Sequence, residues 1–413
     1  MSHVCIAHAS DIHYCEKHLE WVDKAMTAFV AGAIEANATC AILSGDSFDH
    51  QVHTHEPAVH AFLKQIRRLA DHMPVLVLQG TFSHDRPGSL DVLRTIGGKH
   101  PVHVADRISQ VMLRGGAWVE SDSYRFDSDL LCRSNQPLVL VSCLPSIHKG
   151  QIKAITDGEG NAAELIEQVC HGWSEVNLAA RVIGIPTVLT AHGTVVGSLT
   201  EAHFQMVSPD HEFSPGALFA SQASAVMVGH IHAHNAWEHE GRRIAYPGSL
   251  TRLVHGHHDK TYWLKWSVEA ASSNFECIET PARKLVDLTF PGVPNLIKLQ
   301  EAAPDCEGAY VRVRWSVDEE HAHVVDRKAI LEILSGACEV KLEGRVNPIQ
   351  RTRAEGLTRA ESLVDKLEIW GNCTSTSIDP LVDRLNDLQM LDADEIIEKY
   401  CDIDTEERND AAA

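Results

Sequence analysis

No apolar run in this 413-residue chain approaches the ~18 consecutive residues that a membrane-spanning helix needs. The opening residues Met1-Ser2-His3-Val4 lack the basic start and apolar stretch of a secretory leader. No CxxC pair occurs among the 11 cysteines. Scattered, unpaired spacing of that kind predicts reduced thiols in a cytoplasmic protein, packed as small apolar side chains rather than acting as nucleophiles. Positive charge is also scarce: 36 Lys and Arg face 57 Asp and Glu, a formal net charge of −21. A broad basic footprint for nucleic acid is therefore not expected, although a local groove is compatible with it. The acidity is uneven, since residues 346–413 hold 16 acidic and 7 basic residues. Internal repeats are absent. Membrane proteins, disulfide scaffolds and fibrous proteins are thus set aside.

What the chain has is histidine, 26 in all, and short apolar runs that end at polar residues. Val4–Ala7 leads to Asp11, Cys40–Leu43 to Asp46, and Val75–Leu78 to His84. Leu138–Val141 leads to Pro145, Thr187–Thr190 to His192, and Ala225–Val228 to His230. Continuous apolar runs of this length predict strands buried on both faces. Between the early runs, Leu19–Ala36 and Pro57–Leu69 repeat apolar residues at helical spacing. Alternating strands and helices predict an α/β sandwich flanked by helices, with ligands gathered beyond the carboxyl ends of the strands. Near Pro281 a second pattern begins: alternating segments Lys284–Phe290 and Tyr310–Trp315, a helix near Asp326–Leu334 and a strand at Cys338–Leu342. The expected division is 1–280, a small α+β unit at 281–345, and an acidic region at 346–413. Helical character is expected to return there at Asp379–Leu388 and Ala393–Tyr400, each too short to be stable alone.

The strand ends carry the chemistry. Asp11-Ile12-His13 sets a carboxylate and an imidazole two apart, on one face if the backbone stays extended. Gly45-Asp46-Ser47-Phe48-Asp49 follows the second run; a carboxylate with two oxygens can bridge two cations. Gly80-Thr81-Phe82-Ser83-His84-Asp85 follows the third, His192-Gly193 the fifth, and Gly229-His230-Ile231-His232 the sixth. Each motif alone is common. Their joint order is not.

In that order they resemble the calcineurin-like metallophosphoesterase superfamily, which holds two metal ions at the strand ends of a helix-flanked β-sandwich. Tyr246–Leu253 and Pro281–Asp287 look like the corresponding segments of SbcD-type DNA repair exonuclease subunits, so the likeness covers about residues 3–345. The resemblance implies a metal-dependent DNA nuclease acting in repair or recombination, with DNA as substrate, an SbcC-type coiled-coil ATPase as partner and a homodimer as its state. It implies Asp11, His13, Asp46 and His232 around one ion, and Asp46, His192 and His230 around the second. His84 would be the catalytic histidine and Asp85 its orienting carboxylate, with Asp49 a weaker candidate. Mn²⁺ is the implied metal; imidazole and carboxylate donors also suit Fe, Zn or Mg. The family reads Gly-Asn-His-Asp where this chain has Gly80 and His84 separated by Thr81, Phe82 and Ser83 with no asparagine, so Ser83, Thr81 or a water is left to fill that position. The alternatives are a phosphoesterase acting on nucleotides or phosphoproteins, and a weakened scaffold. His50, His53, His55 and His60, and the turn with His255, His257 and His258, read as surface. The stripe Val59, Phe62, Leu63 and Ile66, with Leu90–Ile96, is the expected dimer face.

Overall fold

The computed structural model describes residues 3–132, 137–147, 162–205, 212–257, 259–348 and 356–400. Two large sheets lie face to face. The first has six strands in the order β15-β14-β1-β2-β3-β4: Ser273–Glu279, Tyr262–Val268, Val4–Ala9, Cys40–Leu43, Val75–Leu78 and Val102–Ala105. Strands β1 to β4 pair in parallel, and β14 and β15 close one edge antiparallel. The second has seven strands in the order β12-β13-β11-β8-β7-β5-β6. These are Asn235–His239, Arg242–Tyr246, Ala225–Gly229, Thr187–His192, Val139–Leu144, Ser109–Arg114 and Ala117–Glu120. Its centre, β13-β11-β8-β7, is parallel.

The apolar runs are strands because each must feed two cores. Ile6, Cys40, Ile42, Leu76 and Leu78 face Val141, Val188, Ala225 and Met227 across the sandwich. Their neighbours Ala7, Ala41, Leu43, Val75 and Val77 turn outward. There they meet α1 (Leu19–Glu35) and α2 (Pro57–Ala70) through Met26, Phe29, Phe62 and Ile66. On the second sheet's outer face Leu189, Val226, Val228 and Ile244 pack under α3 (Ala162–Val182), whose Trp173 is fully buried. A fully buried aliphatic side chain of this kind contributes ~1.5–3 kcal/mol. Pro57 opens α2 at a position where its missing N–H costs nothing. Val59, Phe62 and Ile66 are all buried in this core and Leu63 packs partly against it, so the α2 stripe is spent on the sheet.

The expected helix-flanked α/β sandwich is what forms. Leu285–Phe290, Tyr310–Asp318 and Glu339–Asn347 (β16, β17, β18) make a three-stranded sheet in that order. The helices Leu296–Ala302 and Arg327–Ile333 lie between its strands in sequence. The chain divides into two compact units. The larger comprises Met1–Phe290, Pro294–Arg314 and Asp326–Glu343; the smaller comprises Pro291–Val293, Trp315–Val325 and Gly344–Ala413. The smaller unit carries helices Leu363–Thr374, Asp379–Met390 and Ala393–Tyr400. The last two were expected; the first corrects the reading of residues 346–378 as non-helical. Residues 349–355 and 401–413 of the acidic region lie outside the described residues. Among the described residues, no helix is long and apolar enough to cross a membrane.

Candidate metal centre

The loops after β1 and β2 are zipped together by their backbones. The amides of Asp11, Ile12, His13 and Tyr14 donate to the carbonyls of Gly45, Asp46, Asp46 and Ser47 at 3.1, 3.0, 3.1 and 2.9 Å. Ile12 and Tyr14 are buried in the core beneath α1 and α2, which anchors this segment. The backbone is not extended, contrary to the sequence reading. Asp11 and His13 have φ of 50° and 55°, Asp46 has 52° and His230 has 108°. Convergence therefore comes from left-handed turns at the strand ends rather than from one face of a strand. Gly45 is required at φ 100°, where a Cβ would strike the His192 ring. A Cβ on Gly80 would strike Asp46.

Six residues from four strand ends, with His84 from a fifth, fall into three groups whose ligand atoms lie within 4.8 Å of one another: Asp11, His13, His232; His13, Asp46, His84; and Asp46, His192, His230. Nε2 of His13 and Nε2 of His232 are 3.0 Å apart. Both Asp11 oxygens accept the His230 amide at 3.0 Å, which fixes that carboxylate. Asp46 Oδ1 accepts the Thr81 amide at 2.7 Å and stands 3.2 Å from His192 Nε2. Asp46 is thus shared by two of the groups, as the bridging role requires.

The donor set fits a pair of divalent cations. His192 Nδ1 lies 2.7 Å from the Ser44 carbonyl, which can only accept, so Nδ1 carries hydrogen. In the neutral ring the Nε2 lone pair is then aimed at the Asp46 carboxylate. Burial opposes charge on His192, but Asp46 outweighs it and pushes the imidazole up to about 9. Burial would raise Asp46 too; His192, then His13 and His84, overcome it and hold the carboxyl well below its usual range. Burial, and then His232, push His13 well below the usual histidine range, and its Nδ1 is buried with no hydrogen-bond partner. Anionic oxygens packed against imidazole lone pairs in a buried site are relieved by protons or by cations, and the cluster is polar enough for either.

Other predicted residues are placed differently. Ser83 is exposed, whereas the Thr81 hydroxyl lies 3.3 Å from Asp46 Oδ2 and 3.2 Å from His192 Nε2. Asp85 does not orient His84. Its buried carboxylate accepts the amides of Gly80 at 3.0 Å and Ser47 at 3.1 Å, tying together the loops after β2 and β3. Burial, and then Asp46, push it up to about 7. His84 is held instead by its Nδ1 on the Asp49 carbonyl at 2.5 Å. The Asp49 carboxylate is 3.8 Å from His13 Nδ1 and 3.4 Å from His50 Nδ1. His53 and His55 stack on each other, and no group among the described residues recruits them or His60 for a metal. The turn after Leu253 is not surface throughout: His257 is 1% exposed, and His255 packs on Tyr310 and pairs with Glu339. His258 lies outside the described residues.

No family model matches the chain, and no curated protein matches it. Among solved structures, the chain is similar to GAP50, the anchor in the inner membrane complex of Plasmodium. The identity is 9% and the TM-score 0.41, over 69% of this chain and 90% of that one. It is similar to a dimetal phosphatase from Danio rerio at 8% identity and TM-score 0.37, over 66% and 98%. A predicted phosphoesterase from Streptococcus pneumoniae gives 10% identity and TM-score 0.25, over 67% and 99%.

Proposed function

We propose that this chain is a two-metal phosphoesterase of the calcineurin-like kind, and that its substrate is DNA. The observation that carries the reading is the sharing of Asp46 by the groups His13–Asp46–His84 and Asp46–His192–His230, with Asp11 and His232 alongside. Two divalent cations, when bound, would supply Lewis acidity to a phosphodiester and lower the pKa of a water between them. The residues that would hold them are Asp11, His13, Asp46, His192, His230 and His232.

His84 has the other task. With Nδ1 donating to the Asp49 carbonyl, Nε2 is the nitrogen left to hold or deliver a proton at the leaving oxygen. Asp85 braces the loop that presents His84 by taking two backbone amides, a structural duty that keeps its carboxylate out of the chemistry.

The finer reading is an SbcD-type nuclease subunit that uses Mn²⁺, works with a coiled-coil ATPase and forms a homodimer. The segments Tyr246–Leu253 and Pro281–Asp287, and the α+β unit that follows them, support it. A homodimer would use parts of α2 other than its buried stripe, and light scattering at micromolar concentration reads its mass. The functional test is hydrolysis of double-stranded ends and DNA hairpins with Mn²⁺, with and without the ATPase. A chelator-sensitive release of nucleotides supports the reading. Cleavage of small phosphodiesters alone points to a nucleotide substrate, and no cleavage of either refutes an esterase.

A further inference from the structure

Thr81, one of the candidates left for the position of the missing asparagine, meets the site through both its amide and its hydroxyl. Its amide donates to Asp46 Oδ1 at 2.7 Å. Its hydroxyl stands 3.3 Å from Asp46 Oδ2. The same oxygen lies 3.2 Å from His192 Nε2. Both oxygens of the shared carboxylate therefore rest on one residue, which fixes the plane of that carboxylate.

The hydrogen count decides what the hydroxyl can do. His192 donates its Nδ1–H to the Ser44 carbonyl at 2.7 Å, so a cation-binding His192, which must be bare at Nε2, offers only a lone pair there. Asp46 is acceptor-only. One hydroxyl proton thus faces two acceptors. If it goes to Asp46 Oδ2, the hydroxyl oxygen's lone pairs and the His192 Nε2 lone pair are left 3.2 Å apart. Asp46 Oδ1 stands a further 3.2 Å from that nitrogen. Three electron-rich atoms, an imidazole nitrogen, a carboxylate oxygen and a neutral hydroxyl oxygen, converge from three different strand ends. A divalent cation takes this kind of donor set.

We propose that Thr81 builds the cation position formed by Asp46, His192 and His230, both by holding the Asp46 carboxylate through two hydrogen bonds and by presenting its hydroxyl oxygen. This rests on the two-metal reading above. It makes the two positions unequal. The one around Asp11, His13 and His232 takes no donor atom from Thr81 and meets it only through the shared Asp46, so losing the hydroxyl weakens chiefly the other site.

The test is Mn²⁺ binding to the chelator-stripped full chain, followed by titration calorimetry and electron paramagnetic resonance. Wild type and Thr81→Ser are expected to take up two Mn²⁺ per chain, the second giving the signal of a coupled pair. Thr81→Val keeps the backbone amide and the side-chain volume but loses the hydroxyl. It is expected to keep one site at wild-type affinity and weaken the other ~10–100-fold, the usual cost of losing a group that orients a ligand. Its second Mn²⁺ would then show no coupled signal at concentrations that saturate wild type. Two sites of unchanged affinity in Thr81→Val would overturn the proposal and leave the two-metal reading standing. Loss of both sites in Thr81→Val, with wild type intact, would also overturn it. If wild type itself took up no Mn²⁺, the underlying reading would fall with it.

Discussion

Lowering the pH should destabilise this protein through His8, by an amount that the structure sets. His8 is fully buried on β1 between the two sheets' side chains. Trp266 Nε1–H donates to its Nδ1 at 3.3 Å, and its Nε2 lies 2.7 Å from Ser44 Oγ. The indole can only donate, so Nδ1 must be bare and Nε2 must carry the hydrogen. A second proton would set N–H against N–H inside the core. Burial accordingly pushes His8 from 6.5 down to about 3. The sign follows. A histidine kept neutral in the fold binds its proton more readily when unfolded, so its contribution is intact above the unfolded value of 6.5 and shrinks as pH falls towards 3. Linkage gives a loss of about 1.4 kcal/mol at pH 5.5 and about 2.7 kcal/mol at pH 4.5, relative to pH 7.5. The assay is urea unfolding of the metal-free chain, in chelator, at these three pH values, for wild type and His8→Gln. Other titrating groups are common to both proteins and cancel in the difference. Wild type should therefore lose its advantage over the variant by these amounts as pH falls. A difference that stayed constant from pH 7.5 to 4.5 would refute the burial argument.

Asp46→Ala should abolish hydrolysis and lower bound metal, because the shared carboxylate disappears from two groups at once; elemental analysis of the purified variant checks it. His84→Ala should keep its metal while turnover falls ~10²–10⁴-fold, the span for losing a general acid, and parallel loss of metal would make His84 a ligand instead. Gly80→Ala should fold but bind Mn²⁺ more weakly, since its Cβ would strike the Asp46 backbone and carboxylate; wild-type affinity by calorimetry would contradict that packing. Deleting 377–413 should leave metal content and basal hydrolysis intact while abolishing association with the coiled-coil ATPase. The helices removed leave Leu388, Met390, Ile397 and Tyr400 exposed, and co-purification at unchanged affinity would reject a docking role.

The central strands were legible because a strand buried on both faces writes itself as an unbroken apolar run, as in Val75–Leu78 and Ala225–Gly229. The edge strands were not, since Ala117–Glu120 and Asn235–His239 expose part of each residue pair and carry no such run. Leu363–Thr374 escaped because it ends in Gly371, Asn372, Cys373 and Thr374, all weak helix formers. The signal that would have found it is the capping box, in which Ser362 and Asp365 bond each other's backbone amides. At the site, residue order was enough to bring Asp11, His13, Asp46, His84, His192, His230 and His232 together. It was not enough to choose Thr81 over Ser83, or to see Asp85 turned onto backbone amides. Those choices depend on how one loop packs against another strand's end, which no local pattern encodes.

The price of gathering these groups is visible in the backbone. Asp11, His13, Asp46 and His230 all have positive φ, between 50° and 108°. A left-handed non-glycine residue costs ~1–2 kcal/mol, so four together approach the whole net stability of an ordinary domain, about 5–15 kcal/mol. Relaxing any of them would swing a carboxylate or imidazole out of the cluster. What prevents it is the alternation of site residue and anchor: Ile12 and Tyr14 interleave with Asp11 and His13, and Phe48 follows Asp46, all essentially inaccessible. The amide-to-carbonyl bonds between the two loops add a second constraint. The sandwich's two cores thus do more than stabilise the sheets. They hold these side chains in an arrangement that the chain, left to its local preferences, would abandon.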